Sequence, residues 1–355
     1  MHWWTQVLEE GFNAHATEIY LTVGGSVLMR VDGELVEISS KAEPLTAYDV
    51  DNIVVLLLNT EQRIALEIDN FVLTRYIHEK IGRCRVVITR QRNTYSITLR
   101  LYHSVERLEI FPFTKKLEQL TRITEGLIIV AGLAHSGRST ICAQLIRHIN
   151  KNRCAYVVSL EKTLSYLMLH GTSLINQREV GLDISSFSDG IRASVYENAD
   201  VVVIDDFADA SAVDEALMLS MQGRLVILTM TAKNATQVMQ QLLTFSEHQQ
   251  SSYRKHLLQS ALRAIVVQRL ITGKTDNKLP IYEIVLNNQA VQSLIETGSH
   301  KSINDVILRY TKMGMCDFDT SLADFVLGNQ LTKTQALTMI DSVSNFEMAL
   351  LKALP

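Results

Sequence analysis

From about residue 119 onward the chain alternates short, nearly continuous runs of Val, Ile and Leu with stretches in which apolar residues recur every three or four positions. The runs at 126–131, 155–160, 200–205, 224–230, 263–269 and 281–286 have strand length and little polar alternation. Strands of that kind are buried on both faces, so the pattern predicts a parallel sheet covered on each side by helices. From about residue 290 to the end the pattern turns helical, in Leu-rich periodic segments.

The first hundred residues have a different texture. Extended stretches at Glu18–Val23 and Val27–Val31 lead into a turn at Asp32-Gly33, and Thr46–Asn59 carries a helical pattern. An Asp-Gly pair between extended runs predicts a hairpin. A second hairpin is predicted from Arg83 to Leu101. There Cys84, Val86 and Ile88 point one way and Arg83 and Arg85 the other, while Ile97, Leu99 and Leu101 alternate with Ser96, Thr98 and Arg100. With Arg90 and Arg92 in the connection, this makes a small α+β domain with one strongly cationic face; a solvated edge strand guarded by charge is the plain alternative. Residues 102–118, with Pro112 between phenylalanines and Lys115-Lys116 after it, read as a linker. The expected division is an N-terminal α+β domain over 1–101 and an α/β domain over 119–355 that includes the C-terminal helices.

The stretch Gly126–Thr140, GLIIVAGLAHSGRST, carries the most chemistry. A phosphate-binding loop needs Gly, four free positions, then Gly-Lys-Ser or Gly-Lys-Thr, and every element is present from Gly132 to Ser139 except the lysine, which is Arg138. Gly132 and Gly137 permit the tight turn through which backbone amides, including those of His135 and Ser136, surround a phosphate at the positive end of the following helix. Ser139, followed by Thr140, offers a hydroxyl to Mg2+. The context fits, because 126–131 is a strand-length apolar run and Ile141, Leu145 and Ile149 recur every four residues. Arginine is a longer, planar fork than lysine, so the exchange predicts that binding survives better than hydrolysis.

In open α/β sheets ligands lie outside the carboxyl ends of the strands. Glu161 ends the run Val157-Val158-Ser159-Leu160, and Asp205-Asp206 ends Val201-Val202-Val203-Ile204. Apolar residues followed by two carboxylates supply one acid, Asp205, to hold Mg2+ and another, Asp206, to orient an attacking water. A strand running out into a solvated turn is the alternative without chemistry.

Composition narrows the class. The chain has 355 residues, 47% of them hydrophobic, and a formal net charge of −4, which suits two packed domains and argues against a generic polyanion binder such as a nucleic-acid motor. No apolar run approaches the roughly eighteen residues of a membrane span, and Met1-His2-Trp3-Trp4 lacks the regions of a signal peptide. A cytoplasmic location, with peripheral membrane attachment left open, is the expectation. The cysteines at 84, 142, 154 and 316 form no CxxC pair, and the ten histidines form no cluster at metal-ligand spacing.

Several motifs together resemble the type IV pilus retraction ATPases of the PilT and PilU type, within the secretion ATPase superfamily. The resemblance spans nearly the whole chain. It is carried by Ala16-Thr17-Glu18-Ile19-Tyr20-Leu21, Arg30-Val31-Asp32-Gly33 and Arg83-Cys84-Arg85-Val86. More specific still are Leu174-Ile175-Asn176-Gln177-Arg178-Glu179-Val180 and Gly314-Met315-Cys316-Asp317-Phe318-Asp319-Thr320-Ser321-Leu322. It implies a small PAS-like N-terminal domain, a RecA-like P-loop ATPase domain with helical C-terminal region, and a hexameric ring. In such a ring, N-terminal arginines, here Arg83, Arg90, Arg92 or Arg100, reach a neighbour's nucleotide. It further implies ATP or ADP with Mg2+ as ligands and an inner-membrane platform protein as partner.

The departures from the family gather at the active site. The family's Ser-Ile-Glu-Asp-Pro is Ser159-Leu160-Glu161-Lys162-Thr163 here, and its Val-Gly-Glu is Ile204-Asp205-Asp206. Its Thr-Leu-His-Thr is Thr229-Met230-Thr231-Ala232, without the histidine, and its Ala-Ile-Arg-Asn-Leu-Ile-Arg is Ala290-Val291-Gln292-Ser293-Leu294-Ile295-Glu296, without both arginines. Two expectations follow: an active motor using Asp206, Glu161 and Asp205, or a non-hydrolysing structural or regulatory paralogue acting beside an active one.

Overall fold

A computed structural model describes residues 2–31, 33–105, 114–205, 210–244, 251–275 and 277–352. The chain divides into two compact units, Met1–Arg107 with the later segments Leu164–Leu167 and Gly181–Asp183, and the remainder.

The first unit contains α1 (His2–Asn13), β1 (Glu18–Thr22), β2 (Leu28–Val31), β3 (Glu34–Glu37), α2 (Ala47–Leu57), α3 (Thr60–Asp69), β4 (Phe71–His78), β5 (Gly82–Gln91), β6 (Thr94–Leu101) and β7 (His103–Ser104). Six of the strands form one antiparallel sheet in the order β3-β2-β1-β6-β5-β4. The predicted hairpins are both present, and Cys84, Val86, Ile88, Ile97, Leu99 and Leu101 face the core as the alternation requires. The helical content exceeds the single helix expected. Helix α1 buries Trp4, Val7 and Leu8, and the run from Thr46 is two helices, each opened by its own capping box, Thr46 with Asp49 and Asn59 with Gln62. Asn59 therefore ends one helical pattern only to begin another.

The second unit contains α4 (Lys115–Leu120), β8 (Gly126–Ala131), α5 (Arg138–Asn152), β9 (Tyr156–Glu161), β11 (Leu174–Glu179), α6 (Phe187–Tyr196), β12 (Val201–Asp205), α7 (Ala210–Met221), β13 (Leu225–Met230), α8 (Ala235–Thr244), α9 (Ser251–Ala261), β14 (Leu262–Thr272) and β15 (Lys278–Leu286), then α10 (Gln289–Thr297), α11 (Ile303–Arg309), α12 (Phe318–Leu327), α13 (Lys333–Leu337) and α14 (Val343–Lys352). A two-residue strand, β10 (Tyr166–Leu167), pairs with β7 in the first unit. The seven-stranded sheet has the order β11-β9-β12-β13-β8-β14-β15. Successive residues of its central strands feed two separate cores: Leu127, Ile129, Val202, Ile204, Val226 and Leu228 lie in one, and Ile128, Val130, Val201, Val203, Leu225 and Ile227 in the other. That division is why these strands are apolar throughout rather than alternating.

Two features correct the expectation of a simple parallel sheet. Strand β15 runs antiparallel to β14, because the Gly273–Asn277 connection is far too short for the crossover that a parallel neighbour needs. Residues 174–179, too polar to read as a buried strand, form the edge strand β11 parallel to β9.

Candidate nucleotide-binding site

Strand β8 ends at Ala131 and α5 begins at Arg138, so residues 132–137 make the whole turn. A Cβ on Gly132 would lie 2.7 Å from the Gln268 carbonyl oxygen and collide with the Ser136 hydroxyl, so only glycine fits there. Gly137 stands at φ +84° against the Gln268 amide, and His135 is also left-handed at φ 61°. Helix α5 has no side-chain cap, which leaves its first-turn amides directed into the loop. Ser136 Oγ is buried with no hydrogen-bond partner among the described residues, an orphaned oxygen of the kind a ligand satisfies.

The loop is braced from the neighbouring strand. Gln268, 1% exposed on β14, donates from Nε2 to the Ser136 carbonyl at 2.7 Å. Its importance was missed in the sequence, although a glutamine interrupting the run Ala264–Val267 was a usable signal.

The acidic strand ends assemble beside the loop. Asp205 is buried at the end of β12; Ser139 Oγ donates to its Oδ2 at 3.2 Å and Thr229 Oγ1 to its Oδ1 at 2.8 Å. Glu161, at the end of β9, accepts from Ser159 Oγ at 2.8 Å and Gln177 Nε2 at 3.1 Å on the same Oε1. Asp205 is in register with Glu161, and Glu161 with Glu179, so three carboxylates stand in one row across β12, β9 and β11. Glu179 is fully buried and was quoted in the sequence only as part of a motif. The field of this row is felt at Cys142 on α5, whose thiol is pushed well above the usual range by burial first and then by the Asp205 and Glu161 charges.

Arg138 turns toward β13 and donates from Nη1 to Thr231 Oγ1 at 2.9 Å. Thr140 is the third residue of α5. Asp206, expected to orient water, lies outside the described residues.

The Ser139 hydroxyl and Asp205 carboxylate fit a hard divalent cation such as Mg2+, being two oxygens already in contact and steadied by Thr229. Among the described residues no group of three or more His, Cys, Asp or Glu could hold a metal alone. A Mg2+ ion at such a site takes its remaining ligands from water and phosphate.

The N-terminal arginines belong to the first unit. Arg75, Arg85, Arg100, Glu18 and Arg30 occupy one cross-strand row over β4, β5, β6, β1 and β2; of the arginines expected on a cationic face this row holds Arg85 and Arg100, whereas Arg90 alternates onto the other side of the sheet with Cys84, Val86 and Ile88. Arg100 meets Glu18 at 2.6 Å, Arg90 meets Glu67 at 2.9 Å, and Arg83 and Arg75 both meet Asp183 at 2.9 Å. Arg92 is exposed in the turn between β5 and β6 at φ 46°. No described helix is long and apolar enough to cross a membrane.

The chain is similar to known proteins over nearly its whole length. The profile of the type II/IV secretion system protein family matches residues 3–312. The type IV pilus ATPase PilU of Pseudomonas aeruginosa is 27% identical over 94% of this chain and 87% of its own length. The retraction ATPase PilT of the same organism is 21% identical over 96% of this chain and 99% of its own. The crystal structure of the pilus retraction motor PilT with bound ADP superposes with a TM-score of 0.82 at 24% identity, covering 97% of this chain and 98% of that one, which shows a shared fold: an N-terminal domain and a RecA-like ATPase domain. This chain therefore belongs to the type II/IV secretion system protein family and is similar over nearly its whole length to the pilus ATPases PilU and PilT.

Proposed function

We propose that this protein is a motor subunit of the pilus retraction type, which binds MgATP in the β8–α5 loop and couples its hydrolysis to pilus disassembly and twitching motility. The observation that carries the reading is the contact of Ser139 with Asp205, a hydroxyl and a carboxylate delivered from two elements to the mouth of a loop with an orphaned buried oxygen. The loop amides, with Arg138, bind the phosphates, and Ser139 and Asp205 hold Mg2+. Bound there, the ion offsets the charge that develops on the outer phosphates. Thr229 keeps Asp205 aimed. Asp206 orients the attacking water and Glu161, held by Ser159 and Gln177, assists.

The same reading has the subunit work in a cytoplasmic ring at the inner membrane, as a homohexamer or with a paralogous ATPase, against a pilus platform protein. One of Arg83, Arg90, Arg92 and Arg100 serves a neighbour's site. Arg90 and Arg92 are the exposed ones among them, and Arg90 is engaged by Glu67.

A second reading, a subunit that binds nucleotide with little turnover, is favoured by Arg138 itself: its guanidinium stands in the lysine position and is engaged by Thr231. Purified full-length protein, with ring state followed by light scattering, separates the two. Hydrolysis that disappears in Asp206→Ala supports the motor; binding without turnover supports the second reading; absence of binding overturns both.

A further inference from the structure

Two threonines, two positions apart, flank the last residue of β13. Thr229 donates to Asp205 at 2.8 Å, and Thr231, the first residue past the strand, accepts from Arg138 at 2.9 Å. Residues spaced by two project from the same side of an extended chain. Met230 between them pairs with Ala131, so Thr231 lies beside Gly132, where the phosphate loop begins. One strand end therefore holds both the carboxylate of Asp205 and the cation of Arg138.

The backbone that carries Thr231 is itself tied down. Gln241 Nε2 on α8 donates to the Thr231 carbonyl at 3.1 Å, and Lys233 N donates to Gln237 Oε1 at 2.8 Å. The hydroxyl is thus a fixed point for a long, flexible side chain. A guanidinium has five N–H donors in a rigid fork, so one can be spent on Thr231 while others meet a phosphate oxygen. A lysine ammonium sits nearer its own backbone and has no fork to divide.

We propose that Thr231 is a positioning residue for Arg138, pre-setting the guanidinium at the outermost phosphate so that the loop favours a nucleoside triphosphate over a diphosphate. The inference rests on the loop being a nucleotide site. Anchoring removes the ordering cost that a loose arginine would incur on binding. Arg138 and Thr231 act as a unit: the longer cation works because a hydroxyl stands where it ends.

The test is a double-mutant cycle on the full chain, read with fluorescent ATP and ADP analogues and with a melting curve for each variant. Thr231→Val keeps the shape and removes the acceptor. The expected result is ATP-analogue affinity lowered about tenfold or more, the size of one hydrogen bond to a charged group, with the ADP analogue changed by less than about twofold. Thr231→Ser should restore affinity, and Thr231→Val should change nothing in an Arg138→Lys background. Equal losses for the two nucleotides, equal losses in the two backgrounds, or tighter binding by Thr231→Val would each overturn the proposal. Binding of neither analogue by the unaltered chain would instead remove the nucleotide reading beneath it, and the proposal with it.

Discussion

Gln268 Nε2 donates to the carbonyl oxygen of Ser136 at 2.7 Å, from a side chain that is almost fully buried. A neighbouring strand thus holds the centre of the phosphate loop by one neutral hydrogen bond. In Gln268→Leu the carbonyl loses its donor, at a cost of about 1–3 kcal/mol. In Gln268→Glu an acceptor faces an acceptor, and the loop is pushed out of shape. The Glu variant should therefore bind ATP at least about tenfold more weakly, and the Leu variant less weakly than that. Fluorescence titration ranks them, and unchanged affinity in Gln268→Glu would show that the loop holds its shape unaided.

Asp205 accepts from both Ser139 and Thr229, one on each oxygen. Asparagine keeps one acceptor and turns the other side of the group into a donor facing a hydroxyl. Asp205→Asn should abolish the Mg2+ dependence of nucleotide binding and lower any turnover by roughly 10^2-fold or more. Titration with and without Mg2+ checks it; a variant that retains the Mg2+ dependence would move the cation to other ligands.

Glu283 is buried on β15, and burial, the largest influence, raises its carboxyl to about 7, opposed by the Ala235 amide and Arg269. The amide donates to Glu283 Oε2 at 2.6 Å at the start of α8. A carboxyl raised on folding stabilises the fold fully below its unfolded value near 4.5, and that contribution is lost as pH rises through about 7. Glu283→Gln keeps an acceptor for Ala235 and cannot ionise. The variant should be more stable than the parent at pH 8, by roughly 1–3 kcal/mol, and the two should converge near pH 5. Urea denaturation at the two pH values decides it, and parallel pH profiles would refute the assignment.

Arg269 lies 3.8 Å over the Phe318 ring and grips Asp341 with two nitrogens, at 3.2 and 3.1 Å. Asp341 is 56% exposed, so the ion pair by itself contributes under about 1 kcal/mol; the stacked face and a hydrogen bond from Nη2 to the Lys233 carbonyl at 3.3 Å add to it. Arg269→Lys keeps the charge and loses the plane. It should cost about 1–2 kcal/mol, and it should cost much less in a Phe318→Leu background. Equal losses in both backgrounds would deny the stacking any share.

The loop from Gly132 to Ser139 was legible in the sequence, because glycine spacing and the flanking apolar runs are local signals. So were Glu161 and Asp205, each being the polar residue that ends a buried strand. Edge strand β11 was not. It lies at the edge of the sheet, and Asn176 and Arg178 meet polar partners, Tyr156 and Glu197, so its residues need not be apolar. Helix α1 was missed for a related reason: its buried residues Trp4, Val7 and Leu8 are interleaved with polar ones in too short a span to stand out.

What the sequence by itself determined is the series of buried strands in the second unit, the turn chemistry of the loop, and which of those strand ends carry acid, all of which follow from propensities acting over a few residues. The tertiary structure alone decided that Gln268 braces Ser136, that Thr231 receives Arg138, and that Glu179, Glu161 and Asp205 share a row. These partners lie 132, 93 and, for Asp205 and Thr229, 24 residues apart. Their meeting depends on which strands lie side by side, and strand order is set by packing the whole sheet between its two cores.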